Sequence, residues 1–547
     1  MRRIFYLLLL VIWACDKKPD TEIETWVPYD ETAIIAKNAD HESEYMRYKL
    51  IQSKVSDRND LWKQIEPQIS DFSADDYKRL KPLILEQDMM SMQNAISDSR
   101  LNYKELTQWY LYRIALFEND SLSTLNNIIS INPTAVEEAI ARDEGKSGDQ
   151  HPIYGMPILL KDNINFEGIP TTAGAVALQN NQTGDAHIVS RLENSGAIIL
   201  GKSSLSEWAN FLCDGCPNGY SAIGGQTLNP YGRGEFDTGG SSSGSGSSMA
   251  ANYAAGAIGT ETSGSILSPS SSNSIVGLKP TVGLLSRGGI VPISSTLDTP
   301  GPMTKNVMDN AIILSALTGE DSEDEVTVGN SPEKDYWKSL KESNLEGMRL
   351  GVMKGFLEDS LYKVNVKQLE ELGAELVEVE APEVDLSGFL TLLNLDMKAD
   401  LPHYFENYAG PSVELRSVQD VIQFNLEDSA TRIPYGQARF DGIVNDSTSA
   451  MEFDSLKTRL MSEGRRYFET MMNENELDAV LSINNWSAGY AAVAHHPALT
   501  VPMGYEKDGQ PKGITFIAAP YSEEKLLKIA YAFEKKTKAR EIPADYQ

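Results

Sequence analysis

Cysteine is scarce: the 547 residues hold three, at positions 15, 213 and 216. That excludes a disulfide-framework fold. Histidine is nearly as rare, at six, and no histidine pair with metal-ligand spacing lies near the cysteines, so no zinc site is expected. Basic residues number 48 against 78 acidic ones, for a net charge of -30. Such a balance opposes nucleic acid or an anionic membrane surface as a partner. The one N-terminal apolar run, Ile4 to Trp13, is too short to span a bilayer. No internal period marks a repeat protein.

What is present is ordinary globular material, 41% hydrophobic and 23% charged. The N-terminus reads as an address. Met1-Arg2-Arg3 is basic, an apolar stretch follows, and Ala14-Cys15 closes it. This order resembles a bacterial lipoprotein signal, which implies a signal peptide over 1–14, lipidation of Cys15 and a tether over 15–28. A plain secretory signal or a short membrane anchor is the alternative. The expected location is a cell-envelope membrane, with the membrane touched only through the lipid. Cys213 and Cys216 lie in a CDGC loop; in an exported protein they are either a short disulfide or two free thiols, and a disulfide closing so few residues stabilises little.

Residues 29–85 read as a helical N-terminal extension, with helices over Glu44 to Val55 and Tyr77 to Leu85. The remainder, 86–547, reads as one catalytic domain. Leu106, Tyr110, Ile114 and Phe117 recur at helical spacing. Strands then alternate with helices: Pro157 to Leu160 ending at Lys161, Gly196 to Leu200, Met348 to Met353, Leu376 to Val379, and Ala479 to Ile483 as the last strand. The alternation predicts an α/β fold, with a mixed, mostly parallel sheet covered by helices on both faces.

The organising stretch is Gly239 to Ser265, GGSSSGSGSSMAANYAAGAIGTETSGS. Two serine loops flank one apolar segment, so this is not a flexible linker. Two motifs inside the chain mislead. Gly196 to Ser203 matches the P-loop pattern, but its four intervening residues are themselves a strand, which leaves no phosphate cradle. Gly240 to Gly244 matches GxSxG, yet no buried strand precedes it and only His403, His495 and His496 follow.

PILLKDN, GGSSSGS, GTETSGSI, VGLKPTVGLLSRGGIVPIS and DTPGPMTKNV stand in order along the chain. Together with LSEWANF and HPALTVPMG they resemble the successive blocks of the amidase signature family, over roughly residues 88 to 538. Within that family they are most similar to bacterial peptide amidases, which hydrolyse C-terminal peptide amides. The resemblance implies the amidase signature fold, no metal or organic cofactor, a small amide or peptide-amide substrate, and a monomer. Carried over by motif, Lys161 is the base, Ser241 the bridging serine after a cis bond from Gly240, and Ser265 the nucleophile. The backbone N–H groups of Thr262, Ser263, Gly264 and Ser265 are the implied oxyanion hole. Ser263 stands where many members have glycine.

The chemistry of these residue types agrees. A free lysine has a pKa near 10.4 and is almost fully charged at pH 7; burial at the end of an apolar strand lowers it. A serine between lysine and nucleophile accepts one proton while donating another. Backbone donors aimed at the nascent oxyanion contribute several kcal/mol. The other readings are a broader amidase for fatty-acid or aryl amides, and an inactive homologue serving as a surface-binding protein. An amidotransferase subunit is opposed by the export signal and the acidic charge.

Overall fold

Eleven strands pair into one sheet in a computed structural model that describes residues 23, 25–145, 148 and 150–547. In chain order they are β1 (Ile128–Ile131), β2 (Pro157–Lys161), β3 (Ile198–Ser203), β4 (Gly256–Glu261), β5 (Val276–Lys279) and β6 (Thr299–Thr304). They continue as β7 (Arg349–Met353), β8 (Glu375–Val379), β9 (Ala479–Ile483), β10 (Ala498–Tyr505) and β11 (Pro511–Ile517). Across the sheet the order is β1-β3-β2-β4-β6-β5-β10-β11-β9-β7-β8. The sheet is mixed, as expected. Parallel triplets β3-β2-β4 and β9-β7-β8 stand towards its two sides, joined by antiparallel pairings through β6, β5, β10 and β11.

The sequence explains the first triplet. Ile158, Leu159, Leu160, Ile198, Ile199, Leu200 and Ile258 have no exposed surface. Strands buried on both faces need continuous apolar runs, and each such side chain contributes about 1.5–3 kcal/mol of burial. Leu160 pairs with Ile258, and Glu261 with Thr299. The carboxyl ends of β2 and β4 and the start of β6 therefore meet at one edge, where open α/β sheets bind ligands.

Several expectations need correction. Two strands, β10 and β11, follow Ala479–Ile483, which is therefore not the last. Their sequences carry Thr500, Pro502, Gly504 and Gly513, which blur the apolar alternation that marks a strand. Glu44 to Val55 is not a helix beyond the short turn Glu44–Met46. Its backbone is claimed by tertiary partners: Lys49 N–H donates to Tyr435 Oη, Ile51 and Gln52 N–H donate to Glu31, and Ile51 O accepts from Gln226 N–H. The second expected helix is present as Ala74–Ile84, capped by Ser73 and Asp76. Trp26, assigned to the tether, is buried; its N–H donates to Asn59 and its ring packs on Tyr29 and Arg58. The signal over 1–14 and Cys15 lie outside the described residues. No helix among the described residues is long and apolar enough to cross a membrane.

Candidate active site

Lys161 ends β2 and is fully buried. Its Nζ donates to Ser241 Oγ at 2.8 Å, Thr260 Oγ1 at 2.8 Å and Thr260 O at 3.1 Å. Burial pushes its pKa from 10.5 down to about 7, against an upward pull from Asp298 and Glu261. A neutral amine has two N–H groups and one lone pair. The Thr260 carbonyl can only accept, so it holds one N–H. Thr260 Oγ1, itself accepting from Asn163 Nδ2 at 3.0 Å, takes the other. The lone pair then faces Ser241 Oγ, and the direction of that third bond reverses: Ser241 donates to the lysine.

Ser241 has no exposed surface and follows a cis peptide bond from Gly240. Its carbonyl accepts from Ser206 N–H at 3.0 Å, while Ser206 Oγ accepts from Gly219 N–H at 2.8 Å. Between these clasping residues run Trp208, Ala209 and Asn210, three consecutive left-handed residues with φ of 49°, 54° and 72°. Each costs about 1–2 kcal/mol in an L-residue, a strain offset by the burial of Trp208 against Phe440. The same excursion carries the cysteines, and Cys213 and Cys216 are joined as a disulfide with Cα atoms 5.7 Å apart. The helix Ser243–Ala250 follows Ser241 directly. Gly244 is obligatory there, because a Cβ would stand 2.4 Å from Ser204 N.

Ser265 is 9% exposed, and its hydroxyl makes no hydrogen bond to any described residue. Its carbonyl accepts from Ser242 N–H at 3.1 Å, which pins the two serine loops together one residue from Ser241. No bond joins the Ser241 and Ser265 hydroxyls. The turn before Ser265 is shaped by Glu261, buried at the end of β4. Its Oε1 accepts from Gly264 N–H at 2.6 Å, and its Oε2 from Ile266 and Leu267 N–H at 2.7 and 3.0 Å.

Gly264 therefore leaves the expected oxyanion set: its N–H is committed to a carboxylate. Its φ of +85° is what turns the chain. The N–H groups of Thr262, Ser263 and Ser265 make no hydrogen bond within the described residues and remain open for a developing oxyanion. Ser263 is not among the residues with positive φ, so serine replaces glycine there without backbone strain.

The misleading motifs resolve as expected. The residues before Lys202 form β3, and its buried ammonium donates to Ile164 O and Thr171 Oγ1, 3.8 Å from Asp162. Ser242, the centre of GxSxG, donates to Thr260 O. His496 is buried, stacks on Phe468 and places Nδ1 against Ala494 O. No group of His, Cys, Asp or Glu among the described residues could hold a metal ion.

Sequence reasoning missed Thr260, Asn163, Ser206, Glu261 and Asp298. Asp298 accepts from Thr262 Oγ1 at 2.5 Å and from Ile293 and Ser294 N–H. All five lie inside the motif blocks or beside them, which was the signal that could have found them. A cavity of about 240 Å³ opens beside this centre, lined by Asn163, Thr260, Thr262 and Asp298.

Comparison with known proteins shows the family. The amidase family model matches residues 105–527. A protein of Arabidopsis thaliana named as an amidase is 38% identical over 469 residues, 82% of this chain and 90% of its own. The structure of an amidase family protein from Bacillus anthracis superposes with a TM-score of 0.86 at 35% identity, covering 91% of this chain and all of that one. The peptide amidase of Stenotrophomonas maltophilia superposes with a TM-score of 0.80 at 38% identity, over 84% of this chain and 98% of its own. The chain belongs to the amidase family and is a hydrolase of amide bonds.

Proposed function

We propose that the protein is an exported, lipid-anchored amidase that releases ammonia from C-terminal peptide amides or similar small amides through a Ser-Ser-Lys triad. Ser265 Oγ attacks the amide carbon and passes its proton to Ser241, which passes its own to neutral Lys161. The oxyanion is received by the N–H groups of Thr262, Ser263 and Ser265. Collapse breaks the C–N bond, and the departing nitrogen takes the proton back from Lys161 through Ser241. Water then attacks the acyl-enzyme, gives up a proton along the same path, and the free acid and Ser265 hydroxyl are restored.

The observation that carries this reading is the 2.8 Å contact from Lys161 Nζ to Ser241 Oγ, made by a lysine whose burial brings it to about 7. The relay needs Ser265 Oγ to turn towards Ser241, and the Ser242–Ser265 backbone bond already holds the two loops together; catalytic hydrogen bonds often tighten only with substrate bound. Similarity to a peptide amidase supports peptide amides as substrates. One chain supplies the whole triad, so a monomer suffices.

The test is ammonia release from a C-terminally amidated dipeptide by the wild type, Ser265→Ala and Ser241→Ala. Loss of release in Ser265→Ala and a fall of about 10²-fold or more in Ser241→Ala are expected. Full activity in either variant overturns the triad, and release from a long-chain acyl amide but not the dipeptide amide overturns the substrate. Anchoring rests on the basic, apolar and Ala14-Cys15 order. Labelled palmitate should enter the wild type and not Cys15→Ser; an unlabelled wild type removes the anchor and leaves the hydrolase untouched.

A further inference from the structure

The cavity beside Thr260 and Thr262 carries more hydrogen-bond acceptors than the chain satisfies. Asn163 is 2% exposed and held by two donations from its Nδ2, to Thr260 Oγ1 and Val291 O. Its Oδ1 has no partner. Asp400, also on the lining, is held by Ser295, whose N–H donates to its Oδ2 and whose side chain adds a second hydrogen bond. No cation among the described residues lies within ion-pair distance of Asp298, Glu323 or Asp400, all three of which line the cavity; Arg287, which lines it too, is paired with Asp324 and attracts Asp298 and Asp400 only from beyond that distance. Burial raises the Asp400 carboxyl to about 7, with the neighbouring Asp396 and Asp298 adding to the rise. That is the signature of a carboxyl lacking a cation. The lining is apolar at Ile290, Val291 and Ile293, and Tyr404 and Tyr408 belong to it as well.

An unpaired buried acceptor and an unpaired carboxylate on one cavity call for a ligand with donors and positive charge. The apolar part of the lining fits the alkyl segment leading to such a charge. We propose that this cavity is the acyl-side specificity pocket of the amidase, and that it selects amides whose acyl portion ends in an ammonium group on an alkyl stem, with Asp400 as the specificity-determining residue. This rests on the amidase reading of the neighbouring centre. The ammonium has two natural sources, a lysine side chain and the free amino terminus of a short peptide.

The experiment compares kcat/KM for three amides: Nα-acetyl-lysinamide, alanyl-norleucinamide and the neutral Nα-acetyl-norleucinamide. At least one cationic amide is expected to exceed the neutral one by about tenfold, as for a hydrogen bond to a charged group, and which one does so identifies the source. Asp400→Asn should cut that advantage to below about threefold, while Asp400→Glu should keep most of it. Measurable but equal turnover of all three, or an advantage untouched by Asp400→Asn, overturns the proposal. A binding measurement separates it from the amidase reading: calorimetry of n-butylammonium against n-butanol on Ser265→Ala. Preference for the ammonium, lost in Ser265→Ala/Asp400→Asn, supports the pocket even if none of the amides is hydrolysed, an outcome that would sink only the peptide-amide reading. No preference overturns the pocket even if hydrolysis is found.

Discussion

At the scale of single residues, the proposed mechanism makes both rate and stability depend on the protonation of Lys161. With a folded pKa of about 7, the neutral base is present above that pH and lost below it. The profile of kcat/KM for a neutral amide should therefore rise with unit slope up to about pH 7 and then level; a profile flat from pH 5 to 9 would remove Lys161 as base. The sign for stability is separate. The unfolded lysine titrates near 10.5, so between about 7 and 10.5 the unfolded chain binds the extra proton, and this residue's contribution to stability grows as pH rises through that window. Below about 7 both states are protonated and the full cost of the buried charge is carried. Lys161→Met should accordingly reduce kcat by about 10³-fold or more while leaving the melting temperature at pH 6 no lower than that of the wild type. The proposed triad could be named from the sequence because its three residues lie in separate, recognisable motifs. Thr260 was not, because nothing in GTETSGS says that its carbonyl and hydroxyl converge on one lysine; that follows only from the β2–β4 register.

At the scale of elements, the turn proposed to receive the oxyanion depends on one carboxylate. Glu261 is 1% exposed and takes three backbone N–H groups, those of Gly264, Ile266 and Leu267. They are the donors at the entrance to the helix Leu267–Ser272, where a negative charge is well placed. Removing the carboxylate leaves buried donors unsatisfied and frees the turn. Glu261→Ala should cost about 3 kcal/mol in denaturant unfolding and lower kcat by about 10²-fold; a variant with normal kcat would show that the turn holds its shape without Glu261. Strands and helices with strong apolar runs, β2, β3, β9 and Tyr103–Glu118, could be read from the sequence. The segment Glu44 to Val55 could not. Its local pattern favoured a helix, but the Glu31 carboxylate and the Tyr435 hydroxyl offer its N–H groups better partners from elsewhere in the chain.

At the scale of the whole molecule, the alternation of strands and helices indicates an α/β fold, but not the strand order, which brings β10 and β11 between β5 and β9. Nor does it indicate how the chain closes. Arg113 has no exposed surface, and its guanidinium donates to Ala251 O, Tyr77 Oη and Tyr546 O. Arg540 holds Glu86 in a bidentate pair and reaches Ser274 O and Ala250 O. The last eight residues thus bind the helix Tyr103–Glu118 to the chain that follows the catalytic helix Ser243–Ala250. Arg540 together with Lys305 holds the Glu86 carboxyl below its ordinary pKa against the opposing effect of burial. Stability from this pair is present at neutral pH and is lost as acidification protonates Glu86 in the folded state. Deleting residues 540–547 takes Tyr546 O from the buried Arg113 guanidinium and leaves the partly exposed Glu86 carboxylate without its cation, a loss of about 1–3 kcal/mol that comes chiefly from the buried donor. The truncated chain should melt well below the full chain at pH 7, and the gap should narrow as pH falls below the Glu86 pKa. Arg540→Met should reproduce the Glu86 part of this loss and its pH dependence, while retaining the Arg113–Tyr546 contact. An unchanged melting temperature in both variants would show that the C-terminal segment is an appendage and that the core around the serine loops closes without it.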